Sequence, residues 1–125
     1  MRVLLIEDDA SVRRIVRKML ERGRHEVTEA ENGRVGLDRL SDSAFDLVIT
    51  DIVMPEMDGL ETLIELRKHY PTLTVIAMSG GGRTGNTNFL ESAETLGASA
   101  ILQKPFTLDV LTAAIDRSFA ATPSL

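Results

Sequence analysis

Short apolar runs that alternate with stretches of helical period constrain this chain more than any other feature. Val3 to Ile6 is a continuous apolar tetrapeptide, Phe45 to Asp51 carries Leu47, Val48 and Ile49, Leu73 to Met78 is a third such run, and Ala100 to Leu102 a shorter one. Glu26 to Ala30 is a weaker candidate. Runs of this length, bounded by acidic and turn-forming residues, read as strands buried on both faces. Between them the spacing changes. Val12, Ile15, Val16, Met19 and Leu20 form one apolar stripe of a helix that Asp9 or Ser11 can cap and Gly23 stops. Gly36, Leu37 and Leu40 mark a second helix after Asn32-Gly33. Leu60, Leu63 and Ile64 begin a third, from about Gly59 to Tyr70 and ended by Pro71. Phe89, Leu90, Ala93 and Leu96, closed by Gly97, give a fourth, and Leu108, Leu111, Ile115 and Phe119 a fifth. Five strand–helix units in succession imply an α/β domain: a parallel sheet with helices on both faces and right-handed crossovers.

Strands of a parallel sheet all end at the same edge, and that edge is where open α/β folds bind ligands. Four of the five strands here end in a polar group: Glu7 and Asp8 after the first, Asp51 after the third, Ser79 after the fourth and Lys104 after the fifth. Taken alone, Asp51 can be a nucleophile, a metal ligand or a loop acid. Together with Glu7 and Asp8 it makes a set of carboxylates that repel one another unless a cation is present. An all-oxygen set suits a hard ion, most naturally Mg2+. Lys104 supplies a compact cation able to grip an anion or pair with Asp51, and Ser79 a hydroxyl donor. Carboxylate, Mg2+, lysine and hydroxyl are the parts that a phosphoryl transfer requires.

The remaining polar residues read more plainly. Asp9 is assigned to helix capping and Asp58 to a turn or cap. Arg13, Arg14, Arg17 and Lys18 form the polar face of the first helix, ordinarily a solvated face. The loop from Ser79 to Asn88 has four glycines but lacks the Gly-Lys-Ser/Thr ending of a phosphate-binding P-loop. Arg83 in that loop is read as solvating it. His25 and His69 fall at helix ends away from the acidic edge, as surface residues.

Composition narrows the field. A length of 125 residues favours one domain. The net charge of −5 argues against a nucleic-acid-binding face or a polybasic membrane anchor. With no cysteine, thiol and disulfide chemistry are excluded and a cytoplasmic address is favoured. The first apolar run is too short for a signal-peptide core, and no run approaches the roughly 18 apolar residues of a membrane span.

Four short motifs in order, Ile6-Glu7-Asp8-Asp9, Asp51-Ile52-Val53-Met54-Pro55 with Met57-Asp58-Gly59, Met78-Ser79-Gly80 and Lys104-Pro105-Phe106, make the chain resemble, over essentially its full length, the receiver domain of bacterial two-component response regulators. The resemblance implies a flavodoxin-like, doubly wound five-stranded parallel sheet of order 2-1-3-4-5. It implies that Asp51 is the phosphoacceptor, that Glu7, Asp8, Asp51 and the backbone carbonyl of Val53 hold Mg2+, and that Ser79 and Lys104 contact the phosphoryl group. It implies a cis bond between Lys104 and Pro105, and a switch position at Ile101. The partners implied are a sensor histidine kinase or phosphotransfer protein, docking at the first helix, and a downstream protein target or a missing output domain. The receiver would span residues 1–120, with 121–125 a tail or linker stump, and no DNA-binding or catalytic unit follows Phe119.

The chain also departs from the family pattern. Ile101 stands where Tyr or Phe is common, so a hydroxyl readout is lost although Ile can still fill or vacate a pocket. Ser99 and Ala100 replace a common acidic pair, which argues against dimers built on charge pairs of the fourth-helix to fifth-helix face. Val53 and Gly81, two residues after Asp51 and Ser79, offer no side chain that could assist hydrolysis of an acyl phosphate. Val53 also counts against the rival reading, a Mg2+-dependent aspartyl phosphohydrolase, which would place a second acid there. A degenerate receiver acting only by binding is the remaining alternative, and the complete set of acids, Ser79 and Lys104 argues against it.

Overall fold

The computed structural model describes residues 1–52, 59–79 and 97–120. Five parallel strands, β1 (Arg2–Ile6), β2 (Glu26–Ala30), β3 (Leu47–Asp51), β4 (Thr74–Ser79) and β5 (Ala100–Gln103), form one sheet of order β2-β1-β3-β4-β5. The helices described are α1 (Ala10–Arg22), α2 (Gly33–Asp42), α3 (Gly59–His69) and α4 (Leu108–Ala120). The expected helix around Phe89 to Leu96 falls outside the described residues.

The sheet separates two apolar layers, and the two-residue period of each strand decides which layer a side chain enters. Val3, Leu5, Leu47, Ile49, Ile76, Met78 and Leu102 pack with Val16 and Leu20 of α1 and with Leu111, Ala114 and Ile115 of α4. Leu4, Ile6, Val48, Val75 and Ala77 pack with Leu40 of α2 and with Leu63 and Leu66 of α3. This is why β1 and β3 are apolar without interruption: both faces of the inner strands are covered, and every residue from Leu47 to Asp51 is buried.

Helix ends follow local chemistry. The Asp9 carboxylate caps α1 by accepting from the backbone N–H groups of Ser11 and Val12 at 2.8 and 3.2 Å. Asn32 does the same for α2 through Val35 N–H at 2.9 Å. The other end of α1 stops at Gly23, as expected. Gly23 has an ordinary φ of −82°, and the left-handed residue is Arg24 at φ 68°. Bonds from Arg24 N–H to Glu21 O and from His25 N–H to Leu20 O complete a Schellman ending around it. Two residues of the expected stripes also turn outward, Ile15 of α1 (56% exposed) and Ile64 of α3 (47%).

α2 lies close enough to β1 that only glycine fits at one point. A Cβ on Gly36 would stand 2.4 Å from Cδ1 and 2.8 Å from Cγ1 of the fully buried Ile6. Gly36→Ala therefore lowers stability by about 1–2 kcal/mol, the strain of overpacking exceeding alanine's better helix propensity. A denaturant midpoint equal to that of wild type would contradict this.

Candidate functional site

The carboxyl ends of β1, β3 and β5 meet at one edge of the sheet. Carboxylate oxygens of Glu7, Asp8 and Asp51 lie within 4.8 Å of one another. Glu7 is fully buried, Asp51 3% exposed, and Asp8 open to solvent. Lys104 reaches across from beyond β5, its Nζ 2.9 Å from Glu7 Oε1 and 3.3 Å from Asp51 Oδ2. The second oxygen of Glu7 accepts from Asp9 N–H at 3.1 Å. Lys104 thus bridges two of the acids: it pairs with Asp51, as the sequence suggested, and makes a shorter contact to Glu7, which the sequence did not suggest. The reason is reach: Glu7, one methylene longer than an aspartate, extends its carboxylate to the lysine.

The backbone fixes these positions. β1 pairs with both β2 and β3, so Ile6 lies beside Ala30 and Thr50, and Glu7 N–H donates to Ala30 O at 3.0 Å. On the far side, Ile52 N–H donates to Met78 O at 2.9 Å, and Lys104 N–H to Ser79 O at 2.8 Å. Ser79 ends β4, buried, opposite Gln103 of β5. The peptide bond between Lys104 and Pro105 is cis. Ile101 lies partly buried against the α2–α3 layer and borders a cleft of about 510 Å³ with Leu102, Phe106 and Val110. Val53, Asp58, Gly81 and Arg83 lie outside the described residues.

Burial pushes the Glu7 carboxyl up to about 7, against the pull of its bond to Lys104, and the neighbouring Asp51 charge adds to the rise. For Lys104, burial opposes the charge, but the bond to Glu7 and the Asp51 charge outweigh it and hold its pKa above the ordinary lysine value. Among the described residues, one ammonium with three acids leaves the cluster net negative. The donor set fits Mg2+: hard oxygen ligands, none of them histidine or cysteine, and a buried acid that a cation would keep ionised.

The basic face of α1 is not simply solvated. Arg14 and Lys18 are exposed, but Arg13 and Arg17 both grip Glu29 of β2, Arg13 Nε at 2.9 Å and Arg17 Nη1 at 2.5 Å. Arg13 Nη1 also donates to Glu7 O at 2.7 Å. The sequence carried a faint signal for this: Glu29 lies on the strand next to β1, under a helix that turns an arginine toward it. Beside α1, Val12, Ile15, Val16 and Met19 face Lys104, Pro105 and Phe106 across an apolar groove of about 350 Å³.

Known proteins share this fold. The family model described as the response regulator receiver domain matches residues 3–116. The response regulator receiver protein CpdR of Brucella abortus is 34% identical over 96% of this chain and 98% of its own. The transcriptional regulatory protein CrdR of Helicobacter pylori is 35% identical over 98% of this chain, which spans only 56% of CrdR. Among solved structures, a response regulator receiver domain protein from Clostridium thermocellum superposes with a TM-score of 0.86 at 30% identity, covering 95% of this chain and 94% of the other. The chemotaxis protein CheY4 of Vibrio cholerae gives 0.84 at 27% identity, covering 94% and 97%. A family model that matches most of the chain and a relative matched over nearly its whole length lead to one conclusion: this chain is a member of the response regulator receiver family of two-component systems.

Proposed function

We propose that the chain is a phosphorylation switch whose acceptor is Asp51. The observation that carries the reading is the placement of a buried carboxylate beside two further acids and the ammonium of Lys104. A phosphohistidine on a sensor kinase or phosphotransfer protein is the donor. An Asp51 oxygen attacks phosphorus in line, the P–N bond breaks and the imidazole leaves. Glu7, Asp8 and Asp51, with the carbonyl of Val53, would hold Mg2+, which would supply charge neutralisation at the phosphoryl oxygens. Lys104 then moves from Glu7 and Asp51 to the new phosphoryl oxygens, and Ser79 donates its hydroxyl. That shift biases Ile101 and the face formed by β5 and α4 between two arrangements. The protein accepts and loses a phosphoryl group but does not turn over a substrate.

The donor docks over α1. The half-exposed Ile15 and the groove it shares with Pro105 and Phe106 give an apolar contact beside Lys104, with Arg14 exposed on the same helix. Downstream, the response passes to a protein target or to an output domain. Among the described residues no helix is long and apolar enough to cross a membrane.

A small phosphodonor with Mg2+ should add a single phosphoryl group, absent when EDTA replaces the metal. Borohydride should convert the modified residue to homoserine, and peptide mapping should locate it at residue 51. An adduct on another residue, or equal uptake without a divalent cation, would sink the reading.

A further inference from the structure

Glu7 and Asp8 carry two of the three carboxylates, yet the sheet holds only the N–H side of Glu7 and not the peptide that joins the two. Glu7 N–H is bound by Ala30 O at the end of β2. Glu7 O has left the ladder, and because the residue is fully buried no solvent can satisfy it. Arg13 fills that role through Nη1 at 2.7 Å. Arg13 is in turn anchored, its Nε donating to Glu29 Oε1 at 2.9 Å, while the other oxygen of Glu29 takes Arg17. Glu29 directly precedes Ala30, so both main-chain groups of Glu7 are tied to the same two residues of the edge strand. Asp8, exposed, has no burial of its own to hold it.

We propose that Arg13 is a positioning residue for the cation cradle. By gripping the Glu7 carbonyl, with Glu29 as anchor, it fixes the plane of the Glu7–Asp8 peptide. It thereby sets the direction in which the Asp8 carboxylate leaves the backbone toward Asp51. The inference rests on the reading of Glu7, Asp8 and Asp51 as Mg2+ ligands. It carries a sign that distinguishes it from simple electrostatics. Removing a positive charge beside a cation site should tighten binding by Coulomb's law alone. Removing the group that orients a ligand loosens it, typically by 10-fold or more.

The test is calorimetric titration of the EDTA-treated, dialysed full chain with Mg2+, at a temperature where melting curves show each variant folded. Wild type should bind, and Asp8→Asn should bind far more weakly. Arg13→Gln should raise the Kd by about 10-fold. Arg13→Lys keeps the charge and one donor but cannot fork between Glu29 and Glu7, so its Kd should fall between the two. A lower stability alone would leave the Kd of the folded protein unmoved. An Arg13→Gln Kd equal to or below wild type would overturn the positioning role while leaving the cradle standing. Should Arg13→Gln not fold, an Arg13→Lys Kd equal to wild type would overturn it. Wild type and Asp8→Asn showing the same affinity, or none, would remove the cradle and this inference together.

Discussion

Replacing Asp51 with asparagine is expected to abolish phosphoryl uptake and, in the same protein, to raise the stability of the metal-free fold by about 1–2 kcal/mol. The first effect is chemical: an amide is not a nucleophile toward phosphorus, and Lys104 then has no acyl phosphate to grip. The second follows from the charge balance. Without a cation, the charged groups around Asp51 among the described residues are Glu7, Asp8 and Lys104, two repulsions against one attraction. Unit charges about 4 Å apart interact by roughly 4 kcal/mol at an effective dielectric near 20. One uncompensated repulsion of that kind, weakened because Asp8 is exposed and Glu7 protonates easily, leaves the stated gain. Lys104 keeps its shorter bond to Glu7 in the variant, so no buried ammonium is stranded. Chemical denaturation in EDTA measures the stability, and mass spectrometry after phosphodonor treatment measures uptake. A variant less stable than wild type in EDTA would mean that the Lys104–Asp51 pair outweighs the clustering of the acids. Acids held together against their own repulsion are a stability cost kept for function.

How far the sequence revealed this arrangement depends on whether the deciding force is local. The inner strands were legible because a strand covered on both faces must be apolar at every position, and Val3 to Ile6 and Leu47 to Ile49 are. The convergence of Glu7, Asp8, Asp51 and Lys104 was legible because parallel strands share one carboxyl edge. The Lys104–Glu7 bond was not, since the choice between two acids turns on side-chain reach across the gap between strands. Arg13 escaped for a related reason. On a helical wheel it belongs to the polar face with Arg14 and Lys18, and only the packing of α1 over the edge strand brings Glu29 and the Glu7 carbonyl to it. Ile15 fitted the apolar stripe by period, yet it borders a groove, because period does not say whether the facing surface is filled. Gly23 stops α1, but the left-handed conformation falls to the next residue, Arg24. The Schellman bonds to Glu21 and Leu20 and the closing turn into β2 select the position, which the glycine in the sequence does not.

In EDTA the stability of the wild-type fold should fall by about 3 kcal/mol between about pH 4.5 and 7, and saturating Mg2+ should remove most of that fall. The folded Glu7 carboxyl titrates near 7 against an ordinary value of 4.5. A raised folded value means that the native state binds more protons than the unfolded chain between those limits. The contribution is complete below the unfolded value and is lost as pH rises through the folded one. Two and a half units at about 1.4 kcal/mol per unit give the size. Glu29 works in the opposite direction, because its bond to Arg17 holds its carboxyl below the usual range. Its stabilisation is lost as pH falls through that lower value, so it acts chiefly beneath the Glu7 window. Ligation needs the ionised carboxylate, so a bound cation takes the place of the proton and flattens the slope. Glu7→Gln isolates the effect: it still offers Lys104 an oxygen but does not titrate, and its EDTA stability should change little from pH 5 to 7. Parallel wild-type and Glu7→Gln profiles would show that the buried carboxyl is not the group that makes the metal-free site sensitive to pH.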